Sequence, residues 1–153
     1  MDVKNKRIVV TGAASGIGKA LCEAFHEAKA QSIVAVDMNL DGAQETADSV
    51  NGIAIKANVG SEEDTINIIE KSDEHAGGID IYCSNAGIGG VPGFFEVNAS
   101  DWQNIWDVNV QSHIFAAKHV LPQMIERGEG YLVNTSSTSV LLTPCGAAGD
   151  SVT

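Results

Sequence analysis

Arg7-Ile8-Val9-Val10-Thr11-Gly12-Ala13-Ala14-Ser15-Gly16-Ile17-Gly18 is the stretch on which the fold turns. Lys6 to Thr11 is a β-branched run closed by Gly12. From Gly16 to Ala30, apolar residues then recur at Ile17, Ala20, Leu21, Ala24, Phe25 and Ala28, the spacing of one helix face. The reading is strand, Gly-rich turn, helix.

Downstream the same alternation repeats. Ser32 to Asp37 is a buried-type strand, and Leu40 to Val50 a helix with Leu40, Ala43, Ala47 and Val50 on one face. Ile53 to Ala57 is a third strand. Ser61 then caps a helix near Asp64 to His75, with Glu62, Glu63 and Asp64 as acids at its start. Ile79 to Cys83 is a fourth strand, followed by Asn85-Ala86-Gly87. Ile88 to Ala99 reads as a loop, and Ser100-Asp101 as the cap of one long helix that stops near Arg127-Gly128 with a kink at Pro122. Tyr131 to Thr135 is the fifth strand. Strands alternating with helices make βαβ units, and right-handed crossovers turn them into a doubly wound parallel sheet with helices on both faces, a three-layer αβα architecture. No repeat or linker interrupts the 153 residues, which are expected to form a single domain.

Composition narrows the function. Hydrophobic residues are 44% and charged residues 19%, ordinary globular usage, which excludes a disordered chain. A formal net charge of −11 repels phosphate backbones and anionic membranes, so nucleic acid and membrane partners are not expected. The amino-terminal apolar run, Ile8 to Val10, is too short for a signal-peptide core. Cys22, Cys83 and Cys145 are odd in number and in no metal spacing, which fits small apolar residues in a reducing, cytoplasmic compartment.

In an open parallel sheet, ligands bind beyond the carboxyl ends of the strands. Polar or Gly residues collect there: Gly12, Asp37, Asn58, Asn85-Ala86-Gly87 and Ser136-Ser137 follow the five strands in turn. The turn TGxxxGIG from Thr11 to Gly18 lets backbone N–H groups and a helix amino terminus approach a pyrophosphate, although Gly chosen for turn geometry alone would look the same. A phosphate loop of the GxxxxGK[ST] kind is rejected, because Ala13 and Ala20 stand where it needs Gly and Ser or Thr. Asp37 falls at the offset of the acid that accepts hydrogen bonds from the adenosine ribose. It would repel a 2′-phosphate, and Met38 beside it brings no positive charge, so NAD is preferred over NADP. A solvated acid at a loop start is the alternative. His26, His75, His113 and His119 have no paired-ligand spacing and read as surface or helix-face residues, with no metal implied. Trp102, Trp106 and Phe115 read as core or helix-packing residues. An S-adenosylmethionine methyltransferase would share the turn and the acid, but not Asn85-Ala86-Gly87 with Asn109 and Ser137.

These residues together resemble the short-chain dehydrogenase/reductase family: TGxxxGIG, Asp37, Asn58-Val59 in place of the usual Asp-Val, the NAG at Asn85 to Gly87, Asn109 in Asp107-Val108-Asn109-Val110, and Asn134-Thr135-Ser136-Ser137. The resemblance implies a Rossmann-type fold that binds NAD(P) and transfers a hydride between NAD(H) and a secondary alcohol or ketone. It implies that Gly12, Ser15, Gly16, Ile17 and Gly18 hold the pyrophosphate. Asp37, with Met38 next to it, would receive the adenosine ribose, Asn58 and Val59 would flank the adenine, and Asn85, Ala86 and Gly87 would line the path to the nicotinamide ribose. Asn109 matches the Asn that organises a proton-relay water, and Ser137 the Ser that hydrogen-bonds the substrate.

The sequence departs from the family at its end. Asp150 stands where the YxxxK motif has its catalytic Tyr, and the chain stops one residue before the Lys. An Asp carboxyl is ordinarily ionised at pH 7 and has no proton to give a carbonyl. The expectation is a domain incomplete at the carboxyl terminus, truncated after the fifth strand, that is marginally stable, forms homo-oligomers or self-associates, and has no turnover of its own. A catalytically inactive NAD-binding fragment is therefore the alternative reading.

Overall fold

The computed structural model describes residues 2–89 and 97–137. In chain order they form β1 (Arg7–Thr11), α1 (Gly16–Glu27), β2 (Ser32–Asp37), α2 (Leu40–Ser49), β3 (Ile53–Lys56), α3 (Glu62–Ala76), β4 (Ile81–Ser84), α4 (Ala99–Trp106), α5 (Ser112–Arg127) and β5 (Tyr131–Asn134). The five strands build one sheet in the order β3-β2-β1-β4-β5, and every neighbouring pair is parallel. This is the doubly wound Rossmann-type arrangement.

Side-chain alternation divides the core in two. Val9, Val34, Val36 and Tyr82 point to one face and pack with Ile68 and Ile69 of α3 and Ala116, Val120 and Met124 of α5. Ile8, Val10, Ile33, Ala35, Ile81 and Cys83 point to the other and pack with Cys22 of α1 and Ala47 of α2. Helices thus cover both faces, which makes three layers. Burial pushes the Cys22 and Cys83 thiols up to about 12, so both are inert apolar side chains. Cys145 lies outside the described residues. No described helix is long and apolar enough to cross a membrane.

Several expectations need correction. The buried side of α1 is formed by Gly18 and Cys22, with Leu21 and Phe25 half-buried, whereas Ile17, Ala20, Ala24 and Ala28 are exposed. Leu40 is likewise exposed, although Ala43, Ala47 and Val50 are buried as expected. The stretch read as one long helix is capped by Asn98, whose side chain accepts from the Ser100 and Asp101 N–H groups while Asp101 caps back to Asn98. It is also not one helix: a π-helical turn, Asp107–Gln111, separates α4 from α5, and α5 runs on through Pro122 to an αL cap at Gly128. Trp106 is 46% exposed and is not a core residue. Part of the loop read over 88–99, residues 90–96, lies outside the described residues.

At the end of the sheet away from the ligand edge, Asp80 clasps β1 to the start of β4. Its Oδ2 accepts from the Arg7 backbone N–H at 2.9 Å and Arg7 Nε at 2.8 Å, and its Oδ1 accepts from Arg7 Nη2 at 2.5 Å, with Arg127 3.8 Å away. The Arg7 guanidinium holds this carboxyl at about 2, below its ordinary 3.8. A lowered acid stabilises the fold above its unfolded value and loses that contribution as pH falls through its folded value. Asp80→Asn is expected to cost roughly 1–3 kcal/mol at neutral pH. Urea unfolding of both chains checks this, and their difference should shrink as pH falls from 4 towards 2.

Candidate functional site

From β1 the sheet grows in both directions, to β2 and β3 on one side and to β4 and β5 on the other. The crevice beyond the carboxyl ends of β1 and β4 is therefore the switch point where such sheets take ligands. Three glycines shape it, each for its own reason. Gly12 has φ +70°, and a Cβ there would lie 2.9 Å from Ala86 Cα. Gly18 lets α1 lie against the turn, since its Cβ would stand 2.1 Å from Gly12 O. Gly16, at φ +53°, offers a Cβ no atom within 4 Å among the described residues. Asn39, Ser61 and Asn98 cap α2, α3 and α4 with their side chains. Ser15 occupies the same position on α1 but makes no side-chain cap. The amino end of α1, beside the open side of Gly16, thus fits an anionic group such as a diphosphate.

Hydrogen bonds hold the turn from behind. Ala13 N donates to Val36 O at 3.1 Å, and Ala14 N to Asp37 Oδ2 at 3.0 Å. The other Asp37 oxygen accepts from Asn39 N at 2.9 Å, so the carboxylate is fixed next to the turn, with Met38 63% exposed beside it. Ala57 N donates to Asp37 O at 3.1 Å, which brings the end of β3 alongside. There the Asn58 side chain accepts from Gly60 N at 3.0 Å, the Asn58 backbone N–H donates to Asp64 Oδ2 at 2.7 Å, and Val59 is buried.

Next to the turn opens a cleft of about 680 Å³, whose walls include Ile17, Asn85, Gly87, Asn109, His113 and Ser137. Ala86 and Ser136 also line it, and Ser136 and Ser137 are exposed at the end of β5. Thr11 organises its base: the hydroxyl donates to Cys83 O at 3.2 Å and accepts from Asn85 N at 3.0 Å and Ala86 N at 3.1 Å. Asn85 in turn donates from Nδ2 to Thr11 O at 3.0 Å and accepts from Thr135 Oγ1 at 3.0 Å, so it braces β1 and β5 while facing the cleft. Asn109 sits in the π-helical turn. Its Oδ1 accepts from Ile88 N at 2.9 Å and its Nδ2 donates to Ile88 O at 3.0 Å, which hooks the segment after β4 to the helix.

The structure thus gathers Ile17, Asn85, Ala86, Gly87, Asn109 and Ser137 at the cleft, and Gly12, Ser15, Gly16, Gly18, Asp37 and Met38 along the adjoining turn. Asn58 and Val59 sit further along the sheet edge, at β3. Asp150 lies outside the described residues. His113, read from sequence as a surface or helix-face residue, is half-buried in the cleft wall. Burial lowers its pKa, and a hydrogen bond with Asn134 works against that shift. Its place one helical turn after Asn109 was the available signal. A neighbouring depression, of about 600 Å³, shares His113, Ile114 and Asn134 with the cleft, and its other walls are Ala117, Lys118, Leu121, Pro122 and Ile125, all on α5.

Known proteins resemble this chain over nearly its whole length. The chain is 34% identical over 143 residues to glucose 1-dehydrogenase 2 of Bacillus subtilis (strain 168), covering 89% of this chain and 55% of that protein. It is 32% identical over 156 residues to 1-deoxy-11-beta-hydroxypentalenate dehydrogenase of Streptomyces exfoliatus, covering 97% and 56%. It therefore spans a little over half the length of these curated relatives. Among solved structures, a short-chain dehydrogenase/reductase from Burkholderia phymatum in complex with NAD superposes with a TM-score of 0.94 at 25% identity, over 99% of this chain and 56% of that one. A short-chain type dehydrogenase/reductase from Mycobacterium marinum superposes with a TM-score of 0.91 at 27% identity, over 99% and 64%. The short chain dehydrogenase family model matches residues 6–147, running through the Gly-rich turn, all five strand ends and the cleft between them, and the chain belongs to that family.

Proposed function

We propose that this chain supplies the dinucleotide-binding part of an oxidoreductase that moves a hydride between NAD(H) and the carbon of a secondary alcohol or ketone. The observation that carries the reading is the continuity of the strand-end edge. The carboxylate of Asp37, the amino end of α1 at Gly16 and the cleft that holds Asn109 and Ser137 follow one another beside the switch point. The NAD bound by the Burkholderia phymatum relative supports it. Bound here, the nicotinamide ring would supply the hydride acceptor or donor. The chain's own residues bind and orient: α1 and Gly16 receive the diphosphate through backbone N–H groups, Asp37 accepts from the ribose hydroxyls, and Ser137 hydrogen-bonds the substrate oxygen. Asn109, fixed by Ile88, holds the water side of the proton path.

A second reading, a dinucleotide binder without turnover, is favoured by one residue. By its spacing from Ser137, Asp150 falls where the family resemblance expects the Tyr, and an Asp carboxyl ordinarily has no proton to give at pH 7. Steady NADH formation from a panel of secondary alcohols supports the first reading, and tight NAD binding with no NADH supports the second.

Cofactor choice follows from Asp37. NAD is expected to bind at least about tenfold more tightly than NADP, a difference of about 1.4 kcal/mol, because the carboxylate repels a 2′-phosphate. Asp37→Ala should narrow that gap. Calorimetric titration with both dinucleotides checks it, and equal affinities for the native chain would remove Asp37 from the ribose site.

A further inference from the structure

Helix α2 stands behind the Gly-rich turn and touches it more closely than ordinary helix packing requires. A Cβ on Gly42 would lie 2.8 Å from Ala14 Cβ, so only Gly allows this approach. One turn further along α2, Thr46 is fully buried, with its hydroxyl 2.8 Å from Ala13 O and 3.1 Å from Gly42 O. A hydroxyl has a single proton and donates to one carbonyl at a time. The bond to Gly42 is the back-bond open to any helical Thr, whereas the shorter bond to Ala13 ties a separate segment to the helix. With that bond made, both polar groups of Ala13 are held, its N–H by Val36 O and its carbonyl by Thr46. The open side of the turn, at Gly16, is left to the ligand.

We propose that Thr46 is a positioning residue for the diphosphate site: holding the Ala13 carbonyl from behind, it fixes the Gly-rich turn in the shape that receives a diphosphate, without itself touching the ligand. This rests on the dinucleotide-binding reading of the turn. Thr46→Val keeps the shape and removes the donor, whereas Thr46→Ser keeps the donor. ADP-ribose and adenosine are the probes, since both present a ribose to Asp37 and only ADP-ribose carries the diphosphate.

Thr46→Val is expected to weaken ADP-ribose about tenfold. Thr46→Ser should stay within about twofold of the native chain, and adenosine affinity should change no more than about twofold in either variant. Amide exchange at Ala13 and Ala14, read by NMR, should speed up in Thr46→Val and return to native in Thr46→Ser. Unchanged ADP-ribose binding in Thr46→Val, equal loss of both probes, or failure of Ser to restore binding would each overturn the proposal. If Thr46→Val does not fold, Thr46→Cys, a weak donor of similar size, takes its place with the same expectations. Should the native chain bind neither probe, the dinucleotide reading fails by itself. The amide exchange then decides the latch, and native rates in the Val variant would refute it.

Discussion

Gly18→Ala is expected to cost the chain its cooperative fold. The added Cβ would stand 2.1 Å from Gly12 O, 2.6 Å from Gly12 C and 2.8 Å from Asn85 Nδ2. Two of these atoms are backbone of the turn itself, and the third is the amide that braces Thr11. None is the free end of a flexible side chain, so relief requires moving α1 off the sheet or breaking the Thr11 and Asn85 hydrogen bonds. The penalty should exceed about 4 kcal/mol, a large part of the roughly 5–15 kcal/mol that holds a domain together. Thermal unfolding followed by circular dichroism measures it. A cooperative transition within a few degrees of the native chain would show that α1 does not need its close approach to the turn.

Gly16→Val, two residues earlier, should do the opposite, leaving the chain folded but unable to hold a dinucleotide. Among the described residues nothing stands where the Gly16 Cβ would go, and the cost set by its φ of +53° is about 1–2 kcal/mol for an L side chain. The branched side chain would occupy the approach to the amino end of α1. NAD and NADP share the diphosphate that would come there, so both affinities should fall together, by about a hundredfold or more. Calorimetry together with an unfolding curve reads both halves of this claim. A folded Gly16→Val chain that binds either dinucleotide at native strength would take the turn out of the binding site.

The contrast between these two glycines separates what is local from what is not. The turn from Gly12 to Gly18 is visible in the sequence because apolar periodicity changes from strand to helix across it, and that change depends only on neighbouring residues. For the same reason the five strands, the Ser61 cap and the stop at Gly128 fall close to where local pattern puts them. The place of Asp37 is legible too, since its offset from the turn puts it at the end of β2, where its carboxylate accepts from Ala14 N. Gly18 is filled first by Gly12 of the same turn and then by Asn85, far along the chain, and apolar pattern alone does not tell it from Gly16. Asn85 itself reads as a cleft residue, and only the pairing of β1 with β4 and of β4 with β5 shows that it also binds Thr11 and Thr135 together.

The π-helical turn at Asn109 escaped local reading because Trp102 to Met124 keeps a helical apolar rhythm across it. What stabilises the turn's side chain is Ile88, on another segment. Trp106 is exposed for a related reason: helical spacing puts it in an apolar series with Trp102 and Phe115, whereas its burial depends on which elements pack beside α4. The strands and the polar residues that follow them fall where short-range pattern puts them, because backbone geometry and side-chain alternation are local. The strand order, the brace at Asn85, the cleft wall at His113 and the latch at Thr46 were decided by tertiary contacts between residues remote in the chain, because a hydrogen bond depends on distance in space and not on separation in sequence.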